Sequence, residues 1–423
     1  MERARELDIL DRVMAHRAAG NTTDMAPEMY ANPVATYVEE DRYEREVERL
    51  FRGCPIVACL SCDVAAPGDH VTLSITDVPV LVVRGEDGTV RAFRNVCRHR
   101  GVTVAEGRGC GVRSFMCPFH GWSYRLDGRL VNPTHRAGFA GLDRSTHGLS
   151  EMACGEAAGL VFVHIDGVAG SLDAGEWLGE LGAELTDIGV SRYEHLETRS
   201  SHRAMNWKLM GDTFCEQYHL RHLHHASFAS AIQSDNSLYD PSGRHGRMVT
   251  PAFSIEELDH RPRPEWPLFP HVVLSYMIRP NTILLVQRDH TELFQLLPDG
   301  PGHSISRASL YSTQPTPSDA GRQRVTRAFD MILDVIDRED YEMCEQTQRS
   351  FGSGAQRELL FGRNEPGLIH FHQSVEALLH RPEVRDHRPR GTSRPGGPAH
   401  LPTPERSTAV AAPLRRHGGD QDP

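Results

Sequence analysis

The sequence predicts an α+β protein of two unlike halves, and three observations carry that prediction. From Ile56 to about Ile165, short alternating runs such as His70–Ile75 and Val78–Val83 are punctuated by Gly85-Glu86-Asp87-Gly88 and Leu126-Asp127-Gly128-Arg129, the pattern of a small all-β domain over residues 56–165. From 190 to 382, strand-like runs (Val272–Ile278, Thr282–Val286, Leu293–Leu297) are flanked by helical patterns. Ahead of both, residues 1–55 hold two helical stretches, Glu6–His16 and Glu39–Phe51, the second with Tyr43, Val47, Leu50 and Phe51 on one face. They read as a wrapping arm.

The region Asp166–Asp187, rich in Gly, Ala and Asp, reads as a linker, and residues 385–423 are an Arg, Pro, Gly and His mixture predicted to be disordered. A net charge of -11 over 423 residues argues against a nucleic-acid partner. No run of eighteen apolar residues occurs, and the charged start Met1–Glu6 does not lead into a signal sequence, so the expected place is the cytoplasm. Nine Cys include the pair Cys59 and Cys62. No matching pair exists elsewhere, and Cys54–Leu60 reads as a buried strand in which a free Cys acts as a small apolar residue.

Cys97-Arg98-His99 and, after seventeen intervening residues, Cys117-Pro118-Phe119-His120 give two tight pairs of one thiol and one imidazole each. Two Cys on one iron and two His on the other make the ligand set of a Rieske 2Fe-2S centre. Structural zinc draws on other spacings. With its flanks, Cys97-Arg98-His99-Arg100-Gly101 and Cys117-Pro118-Phe119-His120-Gly121-Trp122-Ser123-Tyr124, the motif resembles the Rieske domain of the Rieske non-haem iron oxygenases. Respiratory Rieske proteins carry an extra Cys pair where this chain has Val102 and Phe119. The resemblance implies that Cys97, His99, Cys117 and His120 hold the cluster at the tips of two hairpins. It also implies a helix-grip (START-like) catalytic domain, an antiparallel sheet curled around a long helix.

A second motif lies in Asn206–His225, which concentrates four His and two acids. Two His and one carboxylate are the preferred site of non-haem Fe(II) in oxygenases. Helical spacing alone favours His219 with His222, because His219 and His224 diverge by about 140° on a regular helix. The family motif instead matches Glu216, His219 and His224 after Asn206-Trp207-Lys208, and so implies that the helix ends or distorts before His224. His222 and His225 are then surface or supporting residues.

The third ligand must come from elsewhere. Val325, Phe329, Ile332, Ile336, Met343 and Thr347 mark one face of a helix from about Ser318 to Arg349. Asp340 falls near that stripe and Glu339 almost as near, so periodicity does not separate them. The resemblance selects Asp340 as the iron ligand. Glu216, three residues before His219, is placed to orient that imidazole. In the family the equivalent acid bridges to a Rieske His of the neighbouring subunit, which makes Glu216 catalytic in electron transfer and implies a homotrimer.

The resemblance thus implies a terminal oxygenase with a Rieske 2Fe-2S cluster and a mononuclear Fe(II). It would act on a small aromatic or quaternary ammonium substrate with O2. The chain shows no ferredoxin-type Cys pattern and no dinucleotide fingerprint, so a separate NAD(P)H-dependent flavin reductase, with or without a ferredoxin, is the expected partner. Hydroxylation with demethylation, ring cis-dihydroxylation and electron carriage alone stay open. Aromatic residues proposed for the pocket are Phe214, Phe228, Tyr239, Phe253, Trp266, Phe269, Tyr276 and Phe294.

Overall fold

The computed structural model describes residues 1–227, 231–314 and 317–381. Phe228 and the tail from 385 lie outside them. Val- and Ile-rich runs form the strands Ile56–Leu60, His70–Ile75, Val78–Arg84, Val90–Arg94, Glu151–Ala157 and Leu160–His164. With two short strands they make an eight-stranded sheet, beside a three-stranded sheet of Phe115–Met116, Ser123–Tyr124 and Leu130–Asn132. Phe93, Phe115, Trp122, Tyr124 and Leu130 pack with Cys97 and Cys117 into a separate small core. Cys59 and Cys62 are free, and Ile56–Leu60 is buried throughout.

The second half is built on seven antiparallel strands in the order Glu194–Arg203, Ser304–Ser312, His290–Pro298, Thr282–Val286, Val272–Ile278, His245–Pro251, Leu238–Ser242. Side chains paired across such a ladder share a face. One face carries Tyr276, whose hydroxyl meets Glu184, and Tyr311, which donates to Asp63 of the first half at 2.8 Å. The other carries Phe294, Leu296, Met248 and Thr250, and is covered by the helices Trp207–Phe214 and Pro366–Leu379. Gly211 lies against Phe371 and Leu296 there, and a Cβ at 211 would come within 2.9 Å of the Phe371 ring.

Two sequence expectations change. The Asp166–Asp187 region is not a linker. It forms the helices Ala174–Leu178 and Leu181–Ile188, which bury Trp177, Leu178, Leu181 and Leu185 and anchor Arg247 on Glu184 at 2.6 Å. Its small residues hid an amphipathic spacing. The long helix is also not uniform: Asp319–Val335 passes through a π-helical turn, Ile336–Asp340, into Tyr341–Phe351. The extra residue in that turn moves the buried stripe by one position. Tyr341 and Cys344 are therefore buried while Met343 is 41% exposed. No helix among the described residues is long and apolar enough to cross a membrane.

Two candidate metal centres

The first centre rests on two loops with the same hydrogen bonds. Cys97 N donates to Val102 O and Gly101 N to Cys97 O, and Cys117 N donates to Trp122 O and Gly121 N to Cys117 O, all between 2.8 and 3.0 Å. Gly101 and Gly121 occupy equivalent positions with φ of +79° and +68°. Only Gly adopts that conformation without strain. The loops bury both thiols and bring the rings of His99 and His120 to 4.6 Å between centroids. Trp122 stacks on His99 at 5.0 Å.

Nδ1 of His99 and Nδ1 of His120 are both buried without a hydrogen-bond partner. A buried polar atom with no partner is costly unless something absent from the protein atoms supplies one. Two thiols and two such nitrogens fit a Rieske 2Fe-2S cluster. The Tyr124 hydroxyl accepts from Arg98 N at 3.0 Å and sits 3.2 Å from Cys97 Sγ. Its proton is thereby left for the sulfur, a contact the sequence reading did not find.

The second centre begins at a capped helix. Asn206 Oδ1 accepts from Lys208 N at 3.0 Å, starting Trp207–Phe214, whose first five residues are buried. The helix stops before Glu216. His219 and His224 then stand at the two ends of a single helical turn, Leu220–Leu223. Because the turn ends there, the two imidazoles converge, with ring centroids 5.1 Å apart. Glu216 lies in the connection between the two helices, three residues before His219. Its carboxylate accepts from His219 Nδ1 and from the backbone N–H groups of Tyr218 and His219.

Asp340, at the end of the π-helical turn and 4% exposed, closes the site. One oxygen, Oδ1, lies 3.3 Å from Nε2 of His219 and 3.3 Å from Nε2 of His224. The three ligand atoms fall within 4.8 Å of one another. Glu339 does not join them. Its Oε2 lies 2.6 Å from His224 Nδ1 and accepts from Ser227 Oγ at 3.0 Å. His222 and His225 are exposed, with His225 Nδ1 3.0 Å from the carbonyl of His222.

Burial disfavours charge on His219, yet the hydrogen bonds to Asp340 and Glu216 outweigh it and raise its pKa to about 10. His224 is raised as well, with burial opposed by Asp340 and Glu339. Burial pushes the Asp340 carboxyl up, but the two imidazoles more than reverse this and hold it below its usual value. The carboxylate of Asp340 thus favours the charged form of both rings. Both rings turn Nε2 to one point and have Nδ1 engaged elsewhere, which fits a two-His, one-carboxylate Fe(II) site.

Of the proposed pocket aromatics, Phe214 and Phe294 meet at 4.9 Å on the helix-covered face of the sheet. Tyr239 shares that face, with its hydroxyl 2.5 Å from His370 Nδ1. Tyr276 points away, to Glu184. Phe253 is largely exposed, and Trp266 and Phe269 are half-buried against the core.

Residues 54–143 match the model of the Rieske [2Fe-2S] domain, and residues 190–381 that of the ring hydroxylating alpha subunit catalytic domain. The glycine betaine monooxygenase oxygenase subunit of Chromohalobacter salexigens is 26% identical over 82% of this chain and 83% of its own. The carnitine monooxygenase oxygenase subunit of Escherichia coli K12 is 26% identical over 83% of this chain and 94% of its own. A crystal structure of the quaternary ammonium Rieske monooxygenase CntA has the same fold, with a TM-score of 0.72 at 22% identity over 84% of this chain and 97% of that one.

Proposed function

The chain belongs to the Rieske non-haem iron oxygenases, and from that premise we propose that it hydroxylates a small quaternary ammonium compound at a carbon bonded to nitrogen. It is the terminal oxygenase component of such a system, with a Rieske cluster and a mononuclear iron as cofactors. When bound, these centres supply one-electron transfer and activation of dioxygen. Cys97, His99, Cys117 and His120 are the proposed cluster ligands, and His219, His224 and Asp340 those of the iron. The observation that carries the ligand assignment is the single Asp340 oxygen 3.3 Å from both imidazoles.

The protein's own part is positioning. Glu216 fixes the ring of His219 by accepting from Nδ1, and Phe214, two residues before Glu216 along the chain, forms an apolar wall with Phe294. We assign Glu216 the further role of bridge to His120 of a neighbouring copy in a homotrimer. A separate NAD(P)H-dependent flavin reductase, with or without a ferredoxin, delivers the electrons. None of the nine cysteines is in a disulfide, which suits the reducing cytoplasm.

The substrate assignment rests on the two relatives that span four-fifths of the chain and act, by name, on glycine betaine and carnitine. Hydroxylation next to nitrogen uses one O2, two electrons and two protons, releases water, and leaves a carbinol that splits at the C–N bond into an aldehyde and an amine. The test supplies a surrogate reductase and NAD(P)H, offers glycine betaine, carnitine and toluene in turn, and measures O2 uptake, aldehyde and cis-diol. Aldehyde matching O2 uptake with a quaternary ammonium compound is expected. A cis-diol from toluene without aldehyde would replace this reading with ring dihydroxylation. A cluster that reduces without O2 uptake on any substrate would leave an electron carrier.

A further inference from the structure

We infer that Glu339 is a positioning residue for the mononuclear metal: it sets the tautomer and ring angle of His224 and thereby the affinity of the site, separately from Glu216. This rests on the proposed His219, His224 and Asp340 ligand set. The two imidazoles are treated alike by the fold. Each turns Nε2 to Asp340 Oδ1 at 3.3 Å, and each has Nδ1 against a glutamate: Glu216 for His219, Glu339 for His224. The two glutamates differ in their surroundings. Glu216 belongs to the connection after the buried helix and spends its second oxygen on backbone N–H groups. Glu339 belongs to the π-helical turn and takes a side-chain hydroxyl, Ser227 Oγ, at 3.0 Å on the same oxygen that faces His224.

The π-helical turn explains how neighbours in sequence serve one imidazole from both sides. On a helix, consecutive side chains diverge by about 100°, so Glu339 and Asp340 cannot both point at one spot. They do not need to. Asp340 reaches Nε2 while the longer Glu339 passes around the ring to Nδ1, and the widened turn sets that ring between them. An imidazole held at Nδ1–H by a carboxylate has a fixed orientation and a more basic Nε2. His224 is 3% exposed, so its ring is shielded from bulk water.

The test strips the mononuclear site of full-length, cluster-loaded protein with a chelator and titrates it with Co(II), following heat and ligand-field absorption. Glu339→Ala is expected to weaken Co(II) binding about 10- to 100-fold and to shift the absorption bands, while the spectrum of the Rieske cluster is unchanged. Glu339→Gln, whose amide oxygen still accepts from Nδ1–H, is expected to restore the band positions and most of the affinity. Ser227→Ala removes only the hydroxyl that steadies the carboxylate and is expected to weaken binding in the same direction by less, which keeps the test open should Glu339→Ala fail to fold. Wild-type affinity and bands in both Glu339→Ala and Ser227→Ala, with binding abolished in Asp340→Ala, overturn the role of Glu339 alone. Unchanged binding in Asp340→Ala overturns the ligand set itself.

Discussion

Asp340 presents one carboxylate oxygen 3.3 Å from Nε2 of His224, and the same oxygen is as near to Nε2 of His219. No other carboxylate among the described residues meets both rings at Nε2. Replacing Asp340 with Ala removes one of three ligands and the negative charge that holds the other two. Iron is expected to fall from about three to about two per chain with acid-labile sulfide unchanged, because the two-iron cluster is held elsewhere. Metal analysis with an electron paramagnetic resonance spectrum after dithionite reduction checks this. Equal iron in the variant and the wild type would sink the assignment.

Metal loading is expected to depend on pH. Burial lowers the His219 pKa, but Asp340 and Glu216 raise it to a net value of about 10 when no metal is bound. The folded value thus exceeds the ordinary 6.5. In the metal-free protein this group adds stability in full below pH 6.5 and loses it as pH rises through 10. A metal must displace the same proton, so the apparent affinity should rise by about tenfold per pH unit between those limits. Titrating Co(II) into stripped protein at pH 7, 8 and 9 measures the slope, and proton release into weak buffer measures the stoichiometry. A flat profile would mean that His219 is already neutral.

How much of this was legible in the sequence follows from which signals are local. The cluster loops are short segments whose Cys, His and Gly positions follow one loop geometry, so the motif alone is enough to propose the four ligands, whereas the contact of Tyr124 with Cys97 depends on the fold. The choice between His222 and His224 was not local. It depends on the helical turn ending at Leu223, which no periodicity reveals. The π-helical turn at 336–340 is hidden for the same reason: a spacing of 3.6 residues carried across it puts Met343 on the buried stripe, whereas the extra residue turns it outward. By sequence alone Glu339 is only a rival for Asp340. The sequence shows an acidic pair, but only coordinates show that the two acids take opposite nitrogens of one ring.

Tyr124 offers a check on the first centre that leaves its ligands intact. Its hydroxyl accepts from Arg98 N and faces Cys97 Sγ at 3.2 Å, so it is oriented to donate to the sulfur. Donors to cluster sulfurs stabilise the reduced, more negative state. Tyr124→Phe is expected to lower the midpoint potential while keeping the reduced-cluster signal, as a redox titration would read. A higher or unchanged potential would show that the hydroxyl proton points elsewhere.

The buried ion pair behind the second centre sets a stability prediction. Lys208 and Glu46 are both fully buried, with Nζ 2.6 Å from Oε2, and Glu46 also accepts from Trp207 Nε1 at 2.9 Å and from Arg42 at 2.7 Å. Lys208 stands in the helix that leads to Glu216, while Glu46 comes from the N-terminal arm, so the pair fastens the arm to the metal site. Glu46→Ala leaves an unpaired buried ammonium and a buried indole N–H without an acceptor, which costs about 3–5 kcal/mol. Lys208→Met is expected to cost less, because Glu46 keeps Arg42 and Trp207 and the replacement fills a similar volume. Guanidinium unfolding of the two variants compares them directly. If Lys208→Met were the more damaging, the pair would matter for the ammonium's own contacts, such as its approach to the Tyr37 ring at 5.7 Å, and not for holding the arm through Glu46.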